Sequence, residues 1–322
     1  MQNSTQTFDP LKFRQVAEEA LVPAAVYIRD VILGRVDLSA FLIKGDKTAV
    51  TEVDTKSQKI SRPIIQAAFP DYRLNQEEAD EETGNLLSNI GIDHDPLDGT
   101  GGLLMGWPTP TQILDAFDFT SRRILACATM EPMTGRFWFY SLGNGTFLKS
   151  YDYNSKKFDS EEGRPLKVNN QGINGAHVLV DVDHAFERIL RPLLKGGNKE
   201  MRRVLYAEGR REISRGIEAL GAKPASRYTN GGHYADVATG RPTVGACMTT
   251  AVGGPFDVAG LGHVLGAGGV GQCYGIKEVD GRREIYSVGE DIRKADIAIA
   301  ANMPETLALL EGIARKAVEY TN

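Results

Sequence analysis

One short segment, residues 90–102, limits the fold more than any other part of this sequence. An apolar run ends there in three acidic residues within six positions, and a glycine-rich tetrapeptide follows: Ile90–Ile92, then Asp93, Asp95 and Asp98, then Gly99-Thr100-Gly101-Gly102. Carboxylates grouped in this way favour a hard divalent cation such as Mg²⁺, which prefers oxygen ligands. A glycine-rich turn that opens a helix presents free N–H groups to an anion such as phosphate. The alternative is an acidic surface loop, but the rigid, apolar Pro96-Leu97 pair between two aspartates argues against it.

The composition is that of a soluble globular protein. A chain of 322 residues has room for two domains or one large α/β unit. The net charge of −5 and the lack of a basic stripe argue against a nucleic-acid partner or an anionic membrane surface. The sequence shows neither a secretory signal nor an apolar run of about 20 residues, so we expect a cytoplasmic protein without membrane contact. Its three cysteines lack paired spacing and are expected to be buried thiols: Cys127, Cys247 and Cys273.

The first half of the chain predicts two amphipathic helices and then an antiparallel meander. Asp9-Pro10 marks the start of a helix that ends at Gly34, and a polar loop from Lys44 leads to a second helix that begins at Asp54. The polar segment 151–165 is interpreted as the connection between domains. Turn residues separate four predicted strands: Ile113–Phe119, Ile124–Met130, Arg136–Tyr140 and Thr146–Leu148.

Strands alternate with helices in the second half, which indicates a layered α/β fold. We therefore predict an N-terminal domain over residues 1–165 and a C-terminal domain over residues 166–322. The predicted strands are Val178–Val182, Pro242–Thr249, Ile285–Val288 and Ile297–Ala300. The predicted helices are Ala185–Leu194, Lys199–Leu220, Tyr234–Thr239, Val258–Leu265 and Pro304–Tyr320.

Four acidic clusters stand out along the chain: Asp54, Glu77-Glu78, Asp95 with Asp98, and Asp257. Taken alone, Asp54 and Asp257 are explained as helix caps, and Glu77-Glu78 as a solvated pair. Asp95 and Asp98 are harder to explain as structure, because burying like charges close together without a cation is costly. The four clusters together therefore favour a metal site.

The order and context of these clusters resemble the inositol monophosphatase superfamily, the magnesium-dependent, lithium-sensitive sugar and nucleotide phosphatases. The resemblance extends from about Leu11 to the C-terminal helix. It implies a five-layer α/β/α/β/α fold and a homodimer. The matching motifs are Val50-Thr51-Glu52-Val53-Asp54, Glu77-Glu78, Asp95-Pro96-Leu97-Asp98-Gly99-Thr100 and Phe256-Asp257-Val258-Ala259-Gly260, followed by Gly268-Gly269.

The same resemblance implies a site with two or three Mg²⁺ ions. One ion would be held by Glu77, Asp95 and the backbone carbonyl of Leu97. A second would be held by Asp95, Asp98 and Asp257, and Glu78 would steer a further metal ion or water. Two cations that share a carboxylate can stabilise both the attacking and the leaving oxygen of an in-line displacement.

The resemblance also implies how the ester is hydrolysed. Asp54 would accept a hydrogen bond from Thr100, and Thr100 with Glu77 would take the proton of a metal-activated water. The amides of Gly99, Thr100 and Gly101 would bind phosphate oxygens. The expected activity is hydrolysis of a small phosphorylated sugar, polyol or nucleoside without a covalent intermediate.

Several residues depart from the pattern of the inositol enzymes and leave the substrate open. Gln76 replaces a glycine, Phe256 replaces a tryptophan, and Gly101-Gly102 replaces Thr-Asn. No carboxylate stands within 248–250, where the inositol enzymes carry an acid for ring hydroxyls. A basic insert is explained either by a solvated helix face or by a pocket for a second phosphate: Arg202, Arg203, Arg210, Arg211 and Arg215.

Two alternative functions follow from these departures. The basic insert would favour a phosphoadenosine phosphate 3′-phosphatase. A catalytically silent metal- or phosphate-binding relative is the alternative of another class.

Gly266–Gly271 matches the dinucleotide-binding pattern Gly-x-Gly-x-x-Gly, which requires a strand before it and a helix after it. We predict the reverse order here, a helix end followed by a strand, and so no oxidoreductase.

Overall fold

The computed structural model describes residues 7–37, 41–43, 49–79, 81–181, 199–251, 254–280 and 282–319. Within these residues the chain forms five layers: an outer pair of helices, a nine-stranded sheet, a middle layer of short helices, a six-stranded sheet and a second outer pair of helices. The predicted α/β/α/β/α layering is therefore confirmed.

Helices α1 (Pro10–Ile32) and α2 (Glu52–Ala68) cover the first sheet. The carboxylate of Asp9 caps α1 by accepting from the amides of Leu11 and Lys12, at 2.9 and 3.1 Å. Helix α2 begins with a capping box, in which Thr51 is the N-cap and Asp54 accepts from its backbone N–H at 2.7 Å. Both predicted helices are confirmed, and α2 starts two residues before Asp54 because Thr51 is the cap.

The polar loop predicted before α2 is partly wrong. Strands β1 (Phe41–Ile43) and β2 (Ala49–Thr51) pair antiparallel, and residues 44–48 between them lie outside the described part. Three-residue strands are too short to show the alternation that identifies a strand in a sequence. Strand β2 leads directly into α2 and so fixes where Asp54 enters the fold.

The first sheet contains the predicted antiparallel meander, which is confirmed. Its strand order is β10-β9-β8-β7-β6-β5-β3-β4, with β11 also paired to β9, and only β3 and β5 are parallel. The strands are β3 (Arg73–Gln76), β4 (Thr83–Gly84), β5 (Ile90–Asp98), β6 (Thr111–Asp118), β7 (Arg123–Glu131), β8 (Arg136–Ser141), β9 (Gly145–Asp152), β10 (Lys157–Phe158) and β11 (Arg164–Pro165).

Segment 151–165 is not simply the predicted connection between domains. Its strands β10 and β11 both pair with β9, so these residues complete the first sheet. Strands of two residues leave no periodic pattern in a polar sequence, which explains the error. The first sheet ends at Pro165 and the second begins at His177, but one apolar core lies between them, and the division into two domains stays a prediction.

The second sheet has the order β13-β12-β14-β17-β15-β16. Strand β12 is parallel to both β13 and β14, and the remaining pairs are antiparallel. The four strands predicted in this half are confirmed as β12, β14, β16 and β17. The six strands are β12 (His177–Val180), β13 (Lys223–Ala225), β14 (Val244–Thr250), β15 (Val270–Val279), β16 (Arg282–Gly289) and β17 (Ile297–Ala301).

The remaining helices lie on the two faces of the second sheet. Helices α4 (Lys199–Ala219) and α8 (Pro304–Glu319) cover its outer face and confirm two predicted helices. Between the sheets lie α5 (Asn230–Ala238), α6 (Phe256–Ala259) and α7 (Leu261–Gly266), while α3 (Thr100–Leu104) follows β5. The predicted helix Ala185–Leu194 lies outside the described residues.

Two predicted helices of the middle layer need correction. Helix α5 begins at Asn230 rather than at residue 234, because Thr229 caps it by accepting from the amide of Gly232. The single helix predicted over 258–265 is two short helices that meet at Gly260. A Cβ atom at Gly260 would lie 2.6 Å from the ring of Tyr234, so the glycine permits close packing of α5 at this junction.

Large aromatic side chains fill the core between the two sheets. Trp138 and Tyr234 are 1% and 0% exposed between the sheets, and the three cysteines are buried free thiols, as expected. The order of elements around Gly266–Gly271 also agrees with the prediction, because α7 ends at Gly266 and β15 begins at Val270. No helix in the described part of the chain is both long and apolar enough to cross a bilayer.

Candidate metal and phosphate site

Three carboxylates from two distant segments of the sequence meet at the end of β5. Asp95, Asp98 and Asp257 each offer one oxygen, and these oxygens lie within 4.8 Å of one another. Asp95 and Asp98 belong to β5, whereas Asp257 lies in the first turn of α6. The structure therefore brings together the three acidic residues that, by the resemblance, would hold one ion.

A local irregularity in β5 allows two carboxylates of one strand to share this site. Residues three apart on a regular strand point to opposite faces of the sheet. The register between β5 and β6 shifts between Asp95 and Asp98, so Pro96 and Leu97 form an irregularity of the kind that re-aims a side chain. Proline has no N–H to donate to a ladder and is well suited to such a position.

Asp98 is held by four hydrogen-bond donors. Its Oδ2 atom accepts from the hydroxyls of Thr111 and Thr229 at 2.8 and 2.5 Å, and from the amide of Gly231 at 2.7 Å. Its Oδ1 atom accepts from the amide of Asn230 at 3.1 Å. Burial raises the pKa of Asp98, and these donors oppose that rise. The start of α5 thus fixes the orientation of this carboxylate.

The donors to Asp98 were missed in the sequence, where the predicted helix began after them. A signal is nevertheless present, since Thr229-Asn230-Gly231-Gly232 has the form of a helix N-cap followed by residues whose amides stay accessible. Nothing in the local pattern indicates that these donors face β5. Thr111 at the start of β6 carries no local signal at all.

Asp95 lies in the most acidic part of the site. Its side chain is 3% exposed, and its Oδ1 atom accepts from the amide of Leu97 at 2.9 Å. Burial raises the pKa of Asp95 well above its ordinary value, and the nearby charges of Glu77, Asp98 and Asp257 raise it further. A cluster of oxygen donors with this much mutual repulsion fits a hard divalent cation, which would neutralise it.

Glu77 and Glu78 follow β3, which runs parallel to β5. The amide of Glu77 donates to the carbonyl of His94 at 3.0 Å and so extends the pairing of the two strands. This pairing places Glu77 near Asp95, where its charge raises the pKa of the Asp95 carboxyl. The amide of Glu78 donates to Oε1 of Gln58 on α2 at 3.1 Å, which anchors the turn.

Thr100 and Asp54 form the hydroxyl and carboxylate pair that the resemblance implies. The Oγ1 atom of Thr100 donates to Oδ1 of Asp54 at 2.6 Å and lies 3.3 Å from the carbonyl oxygen of Leu97. Asp54 is 1% exposed, and burial raises its pKa although Thr100 and Thr51 donate to it. Asp54 is therefore both a helix-capping residue and the partner of Thr100.

The glycine-rich turn has the geometry that the sequence predicted. Gly99 adopts the left-handed conformation with φ of 98°, and α3 begins at the next residue. A Cβ atom at Gly99 would lie 2.6 Å from the carbonyl oxygen of Tyr228, whereas one at Gly101 would meet no atom within 4 Å. Gly101 thus faces open space beside the acidic cluster. Its role in binding phosphate, like that of Gly99 and Thr100, stays a prediction.

The basic insert is solvated where its side chains are described. Arg211 is 61% exposed and pairs with Glu208, and Arg215 is 62% exposed and pairs with Glu212 at 2.7 Å. These two contacts agree with the solvated helix face rather than with a pocket for a second phosphate. The side chains of Arg202, Arg203 and Arg210 lie outside the described part.

The five layers are also those of solved structures of inositol monophosphatases, so the fold that the resemblance implies is confirmed. The extragenic suppressor protein SuhB from Bartonella henselae superposes with a TM-score of 0.67 at 20% identity, covering 94% of this chain and 98% of that chain. The inositol monophosphatase from Anabaena superposes with a TM-score of 0.64 at 17% identity, covering 94% of each chain. These identities establish the fold alone.

Sequence comparison gives a more limited likeness. A histidinol-phosphatase from Chlorobaculum parvum is 28% identical over 194 residues, which cover 56% of this chain and 68% of that protein. No protein-family model matches the sequence. The relatives therefore include a phosphatase named for inositol phosphate and one named for histidinol phosphate.

Proposed function

We propose that this protein is a Mg²⁺-dependent phosphomonoesterase that acts on a small phosphorylated metabolite. The observation that carries the proposal is the meeting of Asp95, Asp98 and Asp257, whose oxygens lie within 4.8 Å of one another. Like charges at this separation are costly to bury unless a cation neutralises them. The phosphatases that share the fold, and the histidinol-phosphatase that shares part of the sequence, support the same activity.

Four side chains are suited to hold the metal: Glu77, Asp95, Asp98 and Asp257. When bound, Mg²⁺ would supply charge stabilisation for the phosphoryl oxygens and would lower the pKa of a water molecule at the site. The carbonyl of Leu97 is a further oxygen ligand in the proposal, and Glu78 would steer a third ion or a water. The donors around Asp98 restrict its rotation, so that this ligand is preorganised.

The residues beside the metal ligands would move the proton and orient the ester. Because the hydroxyl of Thr100 donates to Asp54, its oxygen is left to accept a hydrogen bond from an attacking water. The proton of that water would then pass toward Asp54 or to Glu77. The amides of Gly99, Thr100 and Gly101 would hold the phosphate oxygens, and the reaction needs no covalent intermediate.

Phosphate release from a panel of esters tests this proposal. The panel contains inositol phosphates, fructose 1,6-bisphosphate, histidinol phosphate and phosphoadenosine phosphate, each with Mg²⁺ and with EDTA. We expect Mg²⁺-dependent release that falls at least a hundredfold in Asp98→Asn, as when a group that stabilises transition-state charge is lost. Asp118→Asn is the matched control, because Asp118 is the half-buried last residue of β6 and its carboxylate accepts from Thr120 and Ser121 in the turn that follows. Release that persists in EDTA or in Asp98→Asn contradicts the proposal.

Two narrower possibilities are separated by the same panel. Selective release from histidinol phosphate would match the activity for which the curated relative is named. Selective release from phosphoadenosine phosphate would match the alternative that the basic insert favours. The absence of release from every ester, together with Mg²⁺ binding in a calorimetric titration, would identify a catalytically silent relative.

We also propose that the protein forms a homodimer, as the resemblance implies. Light scattering coupled to size-exclusion chromatography tests this proposal directly. A mass of twice the chain mass supports it, and a monomer at micromolar concentration contradicts it.

A further inference from the structure

Two aromatic side chains stand at a right angle beside the glycine-rich turn. The rings of Trp107 and Tyr228 have centroids 4.5 Å apart and an interplanar angle of 79°. Trp107 is 38% exposed and Tyr228 is 40% exposed, although burial of either ring would be favourable. We call this pair the aromatic corner. By contrast Trp138, the other tryptophan of the chain, is 1% exposed.

The aromatic corner is adjacent to the proposed phosphate site. The carbonyl oxygen of Tyr228 lies 2.6 Å from the position of a Cβ atom on Gly99, and its own Cβ atom lies 3.5 Å from that position on Gly102. The amide of Trp107 donates to the carbonyl of Gly102 at 2.9 Å. Both residues are therefore packed on the glycine-rich turn that would hold the phosphate, and a Cβ atom at Gly101 in this turn would meet no atom within 4 Å.

Tyr228 is fixed from both sides in a conformation that costs free energy. Its φ is 59°, in the left-handed region that a bulky residue rarely adopts. On one side Thr229 donates to Asp98, and on the other the half-buried guanidinium of Arg227 pairs with Glu131 and with Asp236. Strained residues persist where the surrounding structure determines them, and they concentrate at functional sites. The contacts of its neighbours thus hold Tyr228 exposed at the edge of the site.

We propose that the aromatic corner binds a planar heteroaromatic ring in the alcohol part of the substrate. This inference rests on the proposed phosphatase function and narrows its substrate class to phosphate esters that carry such a ring, as imidazole alcohols and nucleosides do. A flat ring stacks on the face of one aromatic side chain and meets the edge of the other, the two arrangements that aromatic pairs prefer. A cyclic polyol such as inositol has no flat π-face for this corner.

Kinetics with and without a ring in the substrate test the proposal. The ring-bearing probes are histidinol phosphate and adenosine 3′-monophosphate, and the ring-free probe is glycerol 2-phosphate. Stacking on an aromatic side chain changes affinity by roughly tenfold or more. We expect kcat/KM for one ring-bearing probe to exceed that for glycerol 2-phosphate at least tenfold. The probe that is preferred distinguishes an imidazole alcohol from a nucleoside.

Variants of the corner are expected to remove this preference. Tyr228→Asn deletes the ring but keeps a residue that tolerates the left-handed conformation, and Trp107→Leu deletes the second ring. Each should lower kcat/KM for the preferred ring-bearing probe about tenfold, mainly through KM, and should change the value for glycerol 2-phosphate less than twofold. Tyr228→Phe keeps the ring and should keep the preference. Tyr286→Leu, which removes a tyrosine that is 39% exposed on β16, is the matched control.

Equal losses for ring-bearing and ring-free probes in Tyr228→Asn would overturn the proposal, because they would show a structural role only. A binding measurement separates this failure from failure of the phosphatase function. Quenching of tryptophan emission that saturates with a ring-bearing probe, and that disappears in Trp107→Leu, supports the corner even where no phosphate is released. Equal quenching by glycerol 2-phosphate, or none by either ring-bearing probe, contradicts it.

Discussion

Arg293 joins the second half of the chain to β5, and replacing it with methionine should destabilise the fold measurably. Its Nη2 atom lies 2.6 Å from Oδ1 of Asp93, and its Nη1 atom lies 3.1 Å from Oε1 of Glu82. The guanidinium carbon also lies 4.9 Å from the ring centroid of Phe119. Asp93 is completely buried and precedes Asp95 by two residues, so this contact supports the strand that carries the metal ligands.

The size of the stability loss in Arg293→Met depends on the buried carboxylates that remain when the guanidinium is removed. Burial raises the pKa of Asp93, and Arg293 opposes this rise. The neighbouring carboxyl of Asp115 is also buried, and burial with the charge of Asp93 raises its pKa well above the ordinary value. Breaking a buried ion pair from one side costs about 3–5 kcal/mol. Because the Arg293 side chain is 18% exposed and water can reach its place, we expect about 3 kcal/mol.

The loss of unfolding free energy in Arg293→Met should become smaller as the pH falls. Without the guanidinium the folded-state pKa of Asp93 rises further, while the unfolded-state value stays near 3.9. The loss is therefore largest where Asp93 is ionised in both states. It shrinks as the pH falls through the folded-state pKa toward that unfolded value, because protonation removes the uncompensated charge.

Urea unfolding at pH 7.5 and pH 5, followed by far-ultraviolet circular dichroism, measures both effects. Arg123→Met is the matched control, since Arg123 also reaches across to the second half, pairs with Glu290 at 3.2 Å and is 47% exposed. An exposed pair of this kind contributes less than about 1 kcal/mol. Adding Asp93→Asn to Arg293→Met should restore part of the loss. A stabilising role of the Arg293–Asp93 pair is refuted if Arg293→Met is no less stable than Arg123→Met at pH 7.5, or if its loss of unfolding free energy grows as the pH falls.

Three further predictions concern the site itself. Thr100→Val removes the hydroxyl that lies 2.6 Å from Asp54, so the rate of phosphate release at saturating Mg²⁺ should fall about a hundredfold. The rate of Thr100→Ser should stay within about tenfold of wild type, and equal rates in the two variants would argue against proton transfer through this hydroxyl. Gly99→Ala forces a left-handed alanine against a carbonyl oxygen and should lower the free energy of unfolding in urea by roughly 1–3 kcal/mol, whereas Gly101→Ala should change it by less than about 0.5 kcal/mol; similar values would show that the turn tolerates a side chain. The raised pKa of Asp95 lets the folded apoprotein keep a proton that metal binding must displace. The increase in Tm produced by Mg²⁺ should therefore be greater at pH 8 than at pH 5.5, and a greater increase at pH 5.5 would contradict the assignment of Asp95 as a ligand.

The sequence predicted those parts of the fold that depend on local pattern. The start of α1 follows from an N-cap aspartate before proline, and the meander follows from short β runs separated by turn residues. The acidic site was recognisable because Asp95, Asp98 and Gly99 lie within five positions. Their spacing is imposed by one irregular strand end and the turn after it, so the information is local.

The parts that were not predicted depend on contacts between distant segments. Thr229 donates to Asp98, and Arg293 pairs with Asp93, yet each pair is separated by more than a hundred residues of chain. No periodicity or motif relates such residues, because their meeting is a consequence of how the two sheets pack. Likewise the short strands at 157–158 and 164–165 form only because β9 offers a free edge.

The most direct test of the metal site is a crystal structure of the protein grown with Mn²⁺, in which an anomalous difference map locates the cation. We predict a peak within about 2 Å of carboxylate oxygens of Asp95, Asp98 and Asp257, the distance typical of small hard cations. We also predict that the same peak is lost in Asp257→Asn. A map with no peak at the end of β5, or a peak unaffected by that substitution, would contradict the central claim that these three residues form a metal site.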